Sequence, residues 1–205
     1  MNFIKDMDLI NSYNEKREVI KQRLSDFKKI AKDEDLFYEL CFCILTPQSK
    51  AKLCWKAVED LKKNDFLNKD INPLNFLIGR TRFQNNKSKY LIQAKVKYKE
   101  IIENLRKLNA YEMREWLIEN INGISYKESA HFLRNIGKRD LAILDRHILK
   151  NLYEHKVIEE IPKTLSKKKY LEIENKFKEF SNKLNIPMDE LDLLFWSKEE
   201  GSVFK

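Results

Sequence analysis

A short turn between two amphipathic segments carries the residues best suited to hold a phosphate group. The segments contain LIENI and KESAHFLRNIG, and they are joined by Asn122-Gly123-Ile124-Ser125-Tyr126. Gly123 permits a left-handed turn and a close approach of the backbone to a partner. The helix that follows presents free N–H groups at its positive end, which favours an anion. Ile124 is predicted to pack between the two helices. The turn therefore predicts contact with a nucleic-acid backbone, and an ordinary helix–helix turn is the alternative.

Two ionisable residues follow this turn. Lys127 comes directly after it, and Asp145 comes eighteen residues later, at the start of the predicted helix DRHILKNLYEH. A neutral lysine amine is a nucleophile that can form a Schiff base. A carboxylate can stabilise developing positive charge or accept a proton. The alternatives are a solvated surface lysine for Lys127 and a plain helix N-cap for Asp145.

The elements that would position these residues are all predicted to be helices. Apolar residues recur at helical spacing over residues 7–31, as in an amphipathic helix. The segment DLFYELCFCIL is apolar nearly all round, as expected of a buried central helix. Further helices are predicted from Ser49 as N-cap, from Asn72-Pro73 to Gly79, and over residues 87–105, 165–184 and 187–199.

The composition favours an all-α protein with a polyanionic partner. Glycine and proline number only 4 each, too few for the regular turns of a β-sandwich or barrel. The formal net charge of +8 favours nucleic acid or an anionic surface. The three cysteines form no CxxC pair and are predicted to be buried thiols in a reducing compartment. Because no signal peptide and no run of 18 apolar residues occurs, we expect a cytoplasmic protein.

Residues 117–149 resemble the helix–hairpin–helix DNA glycosylase superfamily. Its hairpin reads roughly L-P-G-[VI]-G-x-K and is followed, about eighteen residues on, by an aspartate that opens a helix. This chain has Ile121-Asn122-Gly123-Ile124-Ser125-Tyr126-Lys127 and then Asp145. Asn122 stands where the superfamily has proline, and Ser125 where it has the second glycine. The segments 42–49 and 80–87 also resemble superfamily elements, so the resemblance covers about residues 35–150.

The resemblance implies an all-α, two-lobed helix–hairpin–helix DNA glycosylase fold with the active site in the cleft between the lobes. Residues 35–140 would form the helical lobe that contains the hairpin. Residues 1–34 with 141–205 would form a second helical lobe from both chain ends. The target base would have to leave the duplex before it is cut.

The resemblance also implies a reaction. Lys127 would attack C1′ of the sugar, and Asp145 would stabilise the positive charge there and take a proton from the lysine. The resulting Schiff base permits β-elimination of the 3′ phosphate. A lysine at this position therefore implies a bifunctional DNA glycosylase and AP lyase.

Other residues are expected to bind DNA or the base. Gln48 would help to fill the gap left by the extruded base. Phe83 and Trp196 are candidates for stacking on the base or wedging into the duplex, with core packing as the alternative, above all for Trp196. The expected contacts to the DNA groove are Lys50, Arg82 and Lys87, together with Gly123, Ile124 and Ser125 of the hairpin.

The expected substrate base is 8-oxoguanine. No cysteine follows Cys54, so the four-cysteine iron–sulfur cluster of many superfamily members is absent, and no metal or cofactor is predicted. The compact chain and its C-terminal Lys205 resemble the small 8-oxoguanine DNA glycosylases of archaea and some bacteria. In that family the terminal lysine helps to distinguish the oxidised base, whose N7 has become a donor, from guanine. A solvated chain end is the alternative for Lys205.

Three other functions remain open at this point. The enzyme could act on an oxidised pyrimidine, or the chain could be a non-catalytic helix–hairpin–helix DNA-binding module. A helical protein-interaction scaffold is the third, and it predicts no salt-dependent DNA affinity. The expected partner is double-stranded DNA containing an oxidised base, with no membrane, and the expected state is a monomer.

Overall fold

The computed structural model describes residues 3–30 and 33–201, and over these residues it contains eleven helices and no strand. The prediction of an all-α protein is therefore confirmed. In chain order the helices are α1 (Phe3–Lys28), α2 (Asp33–Leu45), α3 (Ala51–Lys63), α4 (Leu74–Leu77), α5 (Gln84–Val96), α6 (Tyr98–Lys107), α7 (Ala110–Asn120), α8 (Tyr126–Asn135), α9 (Arg146–Glu154), α10 (Lys167–Leu184) and α11 (Met188–Glu200).

The chain divides into two compact units. Unit 1 consists of Met1–Lys29 and Leu133–Lys205, and unit 2 consists of Ile30–Phe132. Unit 1 contains α1, α9, α10 and α11, while unit 2 contains α2 to α7 and most of α8. Helix α8 passes from one unit to the other, so the segment after the hairpin belongs partly to each.

Helix α2 is the centre of unit 2. Its residues from Phe37 to Leu45 are all buried, which confirms the central helix predicted from its apolar sequence, and it packs against α3 and α5. The ring of Phe37 stacks on Phe66 at 6.1 Å between centroids and meets Tyr98 edge-on at 5.6 Å. Each fully buried large apolar side chain stabilises the fold by roughly 1.5–3 kcal/mol. This helix therefore provides a rigid base for the loops at its carboxyl end.

Unit 1 is built on the packing of α1 and α9 against α11. Leu9 and Ile20 of α1 are fully buried, and the hydroxyl of Tyr13 donates a hydrogen bond to the carboxylate of Glu190 on α11. Among the described residues of both units, no helix is long and apolar enough to cross a lipid bilayer.

Three predicted helix boundaries are wrong. The single helix expected over residues 87–105 is two helices, because Lys97 leaves helical geometry at φ −86° and ψ 5°. Ser49 does not cap α3, which begins at Ala51 with Lys50 as an N-cap that makes no side-chain hydrogen bond. The short helix after Pro73 ends at Leu77, before Gly79.

Candidate active site

The turn between α7 and α8 has an apolar inside and a polar outside. Ile121 and Ile124 are buried at 3% and 7% exposure, whereas Asn122, Gly123 and Ser125 are exposed. Gly123 adopts φ +81°, the left-handed conformation predicted for it. The two isoleucines thus anchor the hairpin, while Asn122 and Gly123 between them are exposed.

Helix α5 supports this turn from behind. A Cβ atom added to Gly123 would lie 2.5 Å from Cδ2 of Tyr90, so the backbone rests directly on that ring. The side chain of Gln93 donates to the carbonyl of Asn120 at 2.8 Å and accepts from the N–H of Asn122 at 3.2 Å. These two residues of α5 hold both ends of the turn.

Lys127 lies in the first turn of α8 and is mostly buried, with 25% of its side chain exposed. Its Nζ is 3.3 Å from Oε1 of Glu128, whose own side chain is 9% exposed. The other carboxylate oxygen, Oε2, accepts hydrogen bonds from the hydroxyl and the backbone N–H of Ser125. One carboxylate therefore connects the lysine to the start of its helix.

Glu128 is absent from the residues predicted from the sequence. The available signal was the spacing Ser125-x-x-Glu128, which matches a helix capping box. Only the backbone N–H contact of that motif is present here, because the Ser125 hydroxyl donates to Glu128. What the motif does not reveal is that the same carboxylate pairs with Lys127.

Asp145 is the N-cap of α9 in unit 1. Its Oδ1 accepts hydrogen bonds from the backbone N–H groups of His147 at 2.8 Å and Ile148 at 2.9 Å. Within the part of the chain that the structure describes, Oδ2 makes no hydrogen bond. Capping therefore uses one carboxylate oxygen and fixes the direction of the other.

The segment leading to Asp145 is held by α10. The hydroxyl of Tyr170 donates to the carbonyl of Ala142 at 2.5 Å, and it accepts from the N–H of Leu144 at 3.3 Å. Oε1 of Glu174 accepts from the N–H of Ala142 at 2.8 Å. Because these non-helical residues are bonded to buried side chains, the start of α9 has a defined position within its unit.

Two exposed residues in unit 2 share an unusual backbone conformation. Gln48, after α2, has φ +54°, and Phe83, just before α5, has φ +58°. The ring of Phe83 is 54% exposed, and the guanidinium of Arg82 lies 5.4 Å from its centroid. Lys50 and Arg82 are also exposed. All four predicted binding residues therefore have accessible side chains.

Lys87 requires a correction. The sequence predicts a basic residue lining the DNA groove, but the side chain is buried, with 4% of the residue exposed. Its ammonium is bonded to oxygen atoms of the protein. Burial lowers the pKa of Lys87 to about 8. A direct contact from this ammonium to a phosphate does not fit such a position.

The two remaining predicted substrate residues lie elsewhere. Trp196 is on α11 in unit 1 and is partly buried, next to the fully buried Phe195. Its position fits both a stacking role and the packing alternative. Lys205 lies outside the described residues.

A helix–hairpin–helix in which an exposed glycine turn leads to a mostly buried lysine at the start of the second helix is the arrangement expected of a helix–hairpin–helix DNA glycosylase. Comparison with known proteins is consistent with this class. The chain belongs to the 8-oxoguanine DNA glycosylase family, whose sequence profile matches residues 20–186.

Relatives match along nearly the whole chain. The 8-oxoguanine DNA glycosylase/AP lyase of Fusobacterium nucleatum is 47% identical and covers 94% of both chains, and that of Methanocaldococcus jannaschii is 39% identical over the full length of both. Among solved structures, the M. jannaschii enzyme in complex with a 15mer DNA containing 8-oxoguanine superposes with a TM-score of 0.87 at 37% identity, covering 96% of this chain and 99% of its own. The Thermotoga maritima 8-oxoguanine DNA glycosylase gives 0.89 at 31% identity, covering all of both chains. The predicted helix–hairpin–helix glycosylase fold is confirmed.

Proposed function

We propose that this protein excises 8-oxoguanine from double-stranded DNA and then cleaves the resulting abasic site. The observation that carries the proposal is Lys127, mostly buried at the first turn of α8 directly after the exposed hairpin. Curated relatives at 47% and 39% identity are 8-oxoguanine DNA glycosylase/AP lyases. The net charge of +8 supports a polyanionic partner.

The reaction begins at the amine of Lys127. An ammonium cannot attack, so a proton must first leave Nζ, and Asp145 is the carboxylate proposed to accept it. The amine then forms a bond to C1′ while the bond from C1′ to the base breaks, and the base leaves with the electron pair and takes up a proton. The base takes up the proton that Asp145 had accepted, so Asp145 is ionised again and its carboxylate stabilises the positive charge that develops on the sugar.

Strand cleavage follows from the covalent intermediate. Opening of the sugar ring gives a Schiff base between Nζ and C1′, which makes the C2′ proton acidic. Loss of that proton forms a C2′–C3′ double bond and expels the 3′ phosphate. Hydrolysis of the Schiff base then regenerates Lys127, so one lysine serves both activities.

The hairpin and the exposed loops of unit 2 are proposed to bind the duplex. Gly123, Ile124 and Ser125 of the hairpin are proposed to contact phosphates, and Lys50 and Arg82 add positive charge at the groove. Gln48 fills the space of the extruded base, and Phe83 stacks. Trp196 and Lys205 are proposed to contact the base itself.

Borohydride trapping tests the proposal. Parent protein on duplex DNA with a single 8-oxoguanine should give a covalent adduct, because borohydride reduces the Schiff base to a stable amine. Lys127→Gln should give no adduct while still binding the duplex. Lys63→Gln, which removes an exposed lysine from the end of α3, is the matched control and should trap like the parent. An adduct that persists in Lys127→Gln, or a parent that neither traps nor releases the base, contradicts the proposal.

The choice of base is tested by competition. In a single-turnover reaction with a mixture of two duplexes, one containing 8-oxoguanine and one an oxidised pyrimidine, the 8-oxoguanine duplex should be cleaved preferentially. Removal of Lys205 should reduce the preference for 8-oxoguanine over guanine and leave cleavage of a ready-made abasic site intact. If the protein prefers the oxidised pyrimidine, the proposed substrate is wrong, but the proposed glycosylase and lyase reactions stand. The monomeric state and the cytoplasmic location stay predictions, the first open to analytical ultracentrifugation.

A further inference from the structure

The buried ammonium of Lys87 joins two loops. Its Nζ lies 2.7 Å from the carbonyl of Leu45 and 2.8 Å from that of Pro47, both after or at the end of α2. It lies 3.0 Å from the hydroxyl of Ser49 and 2.8 Å from that of Thr81 in the loop before α5. An ammonium has three protons, so four acceptors saturate it. We call these four oxygens and Nζ the Lys87 cluster.

Further hydrogen bonds, within the Lys87 cluster and from neighbouring groups, hold it together. The hydroxyls of Ser49 and Thr81 are 2.9 Å apart, and the backbone N–H of Arg82 donates to Ser49 Oγ at 3.0 Å. Cys54 on α3 donates its Sγ–H to the carbonyl of Leu45 at 3.2 Å. The turn after α2 and the loop before α5 are therefore held by one network.

Each loop in this network carries one exposed residue with a left-handed backbone. Gln48 lies between Pro47 and Ser49, and Phe83 follows Thr81 by two positions. A left-handed conformation costs a residue with a side chain about 1–2 kcal/mol. Such conformations persist where the surrounding structure over-determines them. The Lys87 cluster supplies that constraint at both places.

The charge itself needs an explanation, because burying an ammonium is unfavourable. A methionine of similar length would fill the space without the desolvation cost. What the ammonium adds is direction, since its protons fix the positions of oxygens from two separate loops. The buried ammonium of Lys87 is therefore better suited to position the two loops than to fill the space between them.

We propose that Lys87 is a positioning residue, which locks Gln48 and Phe83 in their exposed left-handed conformations so that they enter the duplex and extrude the target base. Lys87 acts through these two residues and does not itself touch DNA. The inference rests on the proposed glycosylase function and adds to it the residue that sets the extruding elements.

Comparing two DNA substrates distinguishes an effect on base extrusion from an effect on the chemical steps. A duplex with 8-oxoguanine must lose a stacked base to the enzyme, whereas a duplex with a ready-made abasic site has no base to extrude. Lys127 performs the chemistry on both. Lys87→Met should therefore lower the single-turnover rate of 8-oxoguanine excision by about tenfold or more, as misplaced elements do, and leave abasic-site cleavage within about twofold.

Two further variants control for the loss of a positive charge and for a failure of Lys87→Met to fold. Lys63→Met removes one exposed lysine from the same unit and should change neither rate. If Lys87→Met fails to fold, Thr81→Val keeps the side-chain shape and removes one acceptor of the Lys87 cluster. It should show the same selective loss, to a smaller degree. Retained abasic-site cleavage also reports that the variant is folded.

The possible outcomes are distinct. Parent-like excision by folded Lys87→Met and Thr81→Val overturns the inference. An equal loss on both substrates in a folded variant also overturns it, because Lys87 would then support the chemistry or the fold in general. A parent protein inactive on both substrates contradicts the proposed function instead.

The pH dependence gives a readout that a packing role would not move. Burial lowers the pKa of Lys87 to about 8, and the titratable and charged groups that affect it are Cys54 on α3, Lys127 and Glu128 on α8, and Arg82. Loss of the proton removes one donor from the Lys87 cluster. The ratio of excision to abasic-site cleavage should therefore fall above about pH 8 in the parent and stay flat in Lys87→Met. Dividing the two rates removes the titration of Lys127, which both reactions share.

Fold stability should change in the opposite direction. The unfolded chain keeps the Lys87 proton up to its ordinary pKa of 10.5, while the folded protein loses it at about 8. Between these values the unfolded state binds more protons, so rising pH favours the folded state at this group. Weaker excision above about pH 8 without a matching loss of folded protein is therefore the expected result for the parent. If the excision rate falls with pH only as fast as the fraction of folded protein falls, the inference is contradicted.

Discussion

The side-chain oxygen of Gln93 accepts a hydrogen bond from the backbone N–H of Asn122, at 3.2 Å. Asn122 stands where the superfamily hairpin has proline, a residue without an N–H. The preceding Ile121 is extended, with φ −115° and ψ 116°, as a residue before proline must be. Gln93 thus restrains through a hydrogen bond the turn that the superfamily pattern restrains through a ring.

Coupling between positions 93 and 122 is the first prediction. Gln93→Ala should weaken DNA binding about threefold to tenfold, since a net hydrogen bond contributes about 1 kcal/mol. In an Asn122→Pro background the same change should cost less, because the N–H that Gln93 served has gone. The measurement is a double-mutant cycle of duplex affinity at constant salt. Strict additivity of the two substitutions argues against the coupling.

Gly123 and Gly79 form a matched pair for the second prediction. Both have positive φ, +81° and +72°. An added Cβ at Gly79 meets nothing within 4 Å, whereas at Gly123 it would meet the ring of Tyr90 at 2.5 Å. Gly79→Ala should cost only the backbone strain, about 1–2 kcal/mol. Gly123→Ala should cost more and also weaken DNA binding.

Denaturant unfolding and duplex titration check the glycine pair. Tyr90→Ala should recover part of the stability lost in Gly123→Ala, since it removes the clash and leaves the strain. Equal destabilisation by the two glycine substitutions would show that the Tyr90 ring moves aside without cost.

Phe83 is expected to contribute to binding and not to stability. Phe83→Ala should lower the affinity for uncut 8-oxoguanine duplex about tenfold, within the range of 1–3 kcal/mol for base–aromatic stacking. Phe83→Gly should bind as weakly but unfold at a higher temperature than Phe83→Ala, because glycine accepts φ +58° without strain. Fluorescence anisotropy in the Lys127→Gln background measures the affinity. Ile78→Ala, at a residue 61% exposed, is the control and should leave affinity unchanged.

Asp189 predicts a pH-dependent stability. Burial raises its pKa to about 6, against the opposing pull of Arg139 and Arg134. Between pH 3.8 and 6 the folded protein holds a proton that the unfolded chain has lost, so stability falls as pH rises through this window. Asp189→Asn removes that loss and should stabilise the fold by up to about 3 kcal/mol at pH 7.5 and little at pH 4.

Thermal unfolding at the two pH values measures this effect. Asp70→Asn, at an exposed aspartate, is the control and should alter neither value. Destabilisation by Asp189→Asn at pH 7.5 would mean that the ion pair with Arg139, at 4.0 Å, outweighs the burial of the carboxylate.

A structural feature could be predicted from the sequence when residues close to it in the chain determine it. The burial of α2 and the exposed turn at Gly123 follow from neighbouring residues, and both were predictable. The position of Lys87 was not, because its acceptors lie up to 42 residues away in the chain while its neighbours in QNNKSKY suggest a solvated helix. Ser49 was misread as a helix cap for the same reason. The break at Lys97 interrupts a continuous helical pattern and had no local signal.

The left-handed backbones of Gln48 and Phe83 bear on the time an enzyme spends at each base pair. A protein that seeks one damaged base among many normal ones must probe and leave quickly. If its probing side chains had to reorganise at every encounter, that step would set the pace of the search. If Gln48 and Phe83 act as proposed, their backbones take the required conformation when the protein folds, so the remaining cost of testing a base pair is the deformation of the duplex.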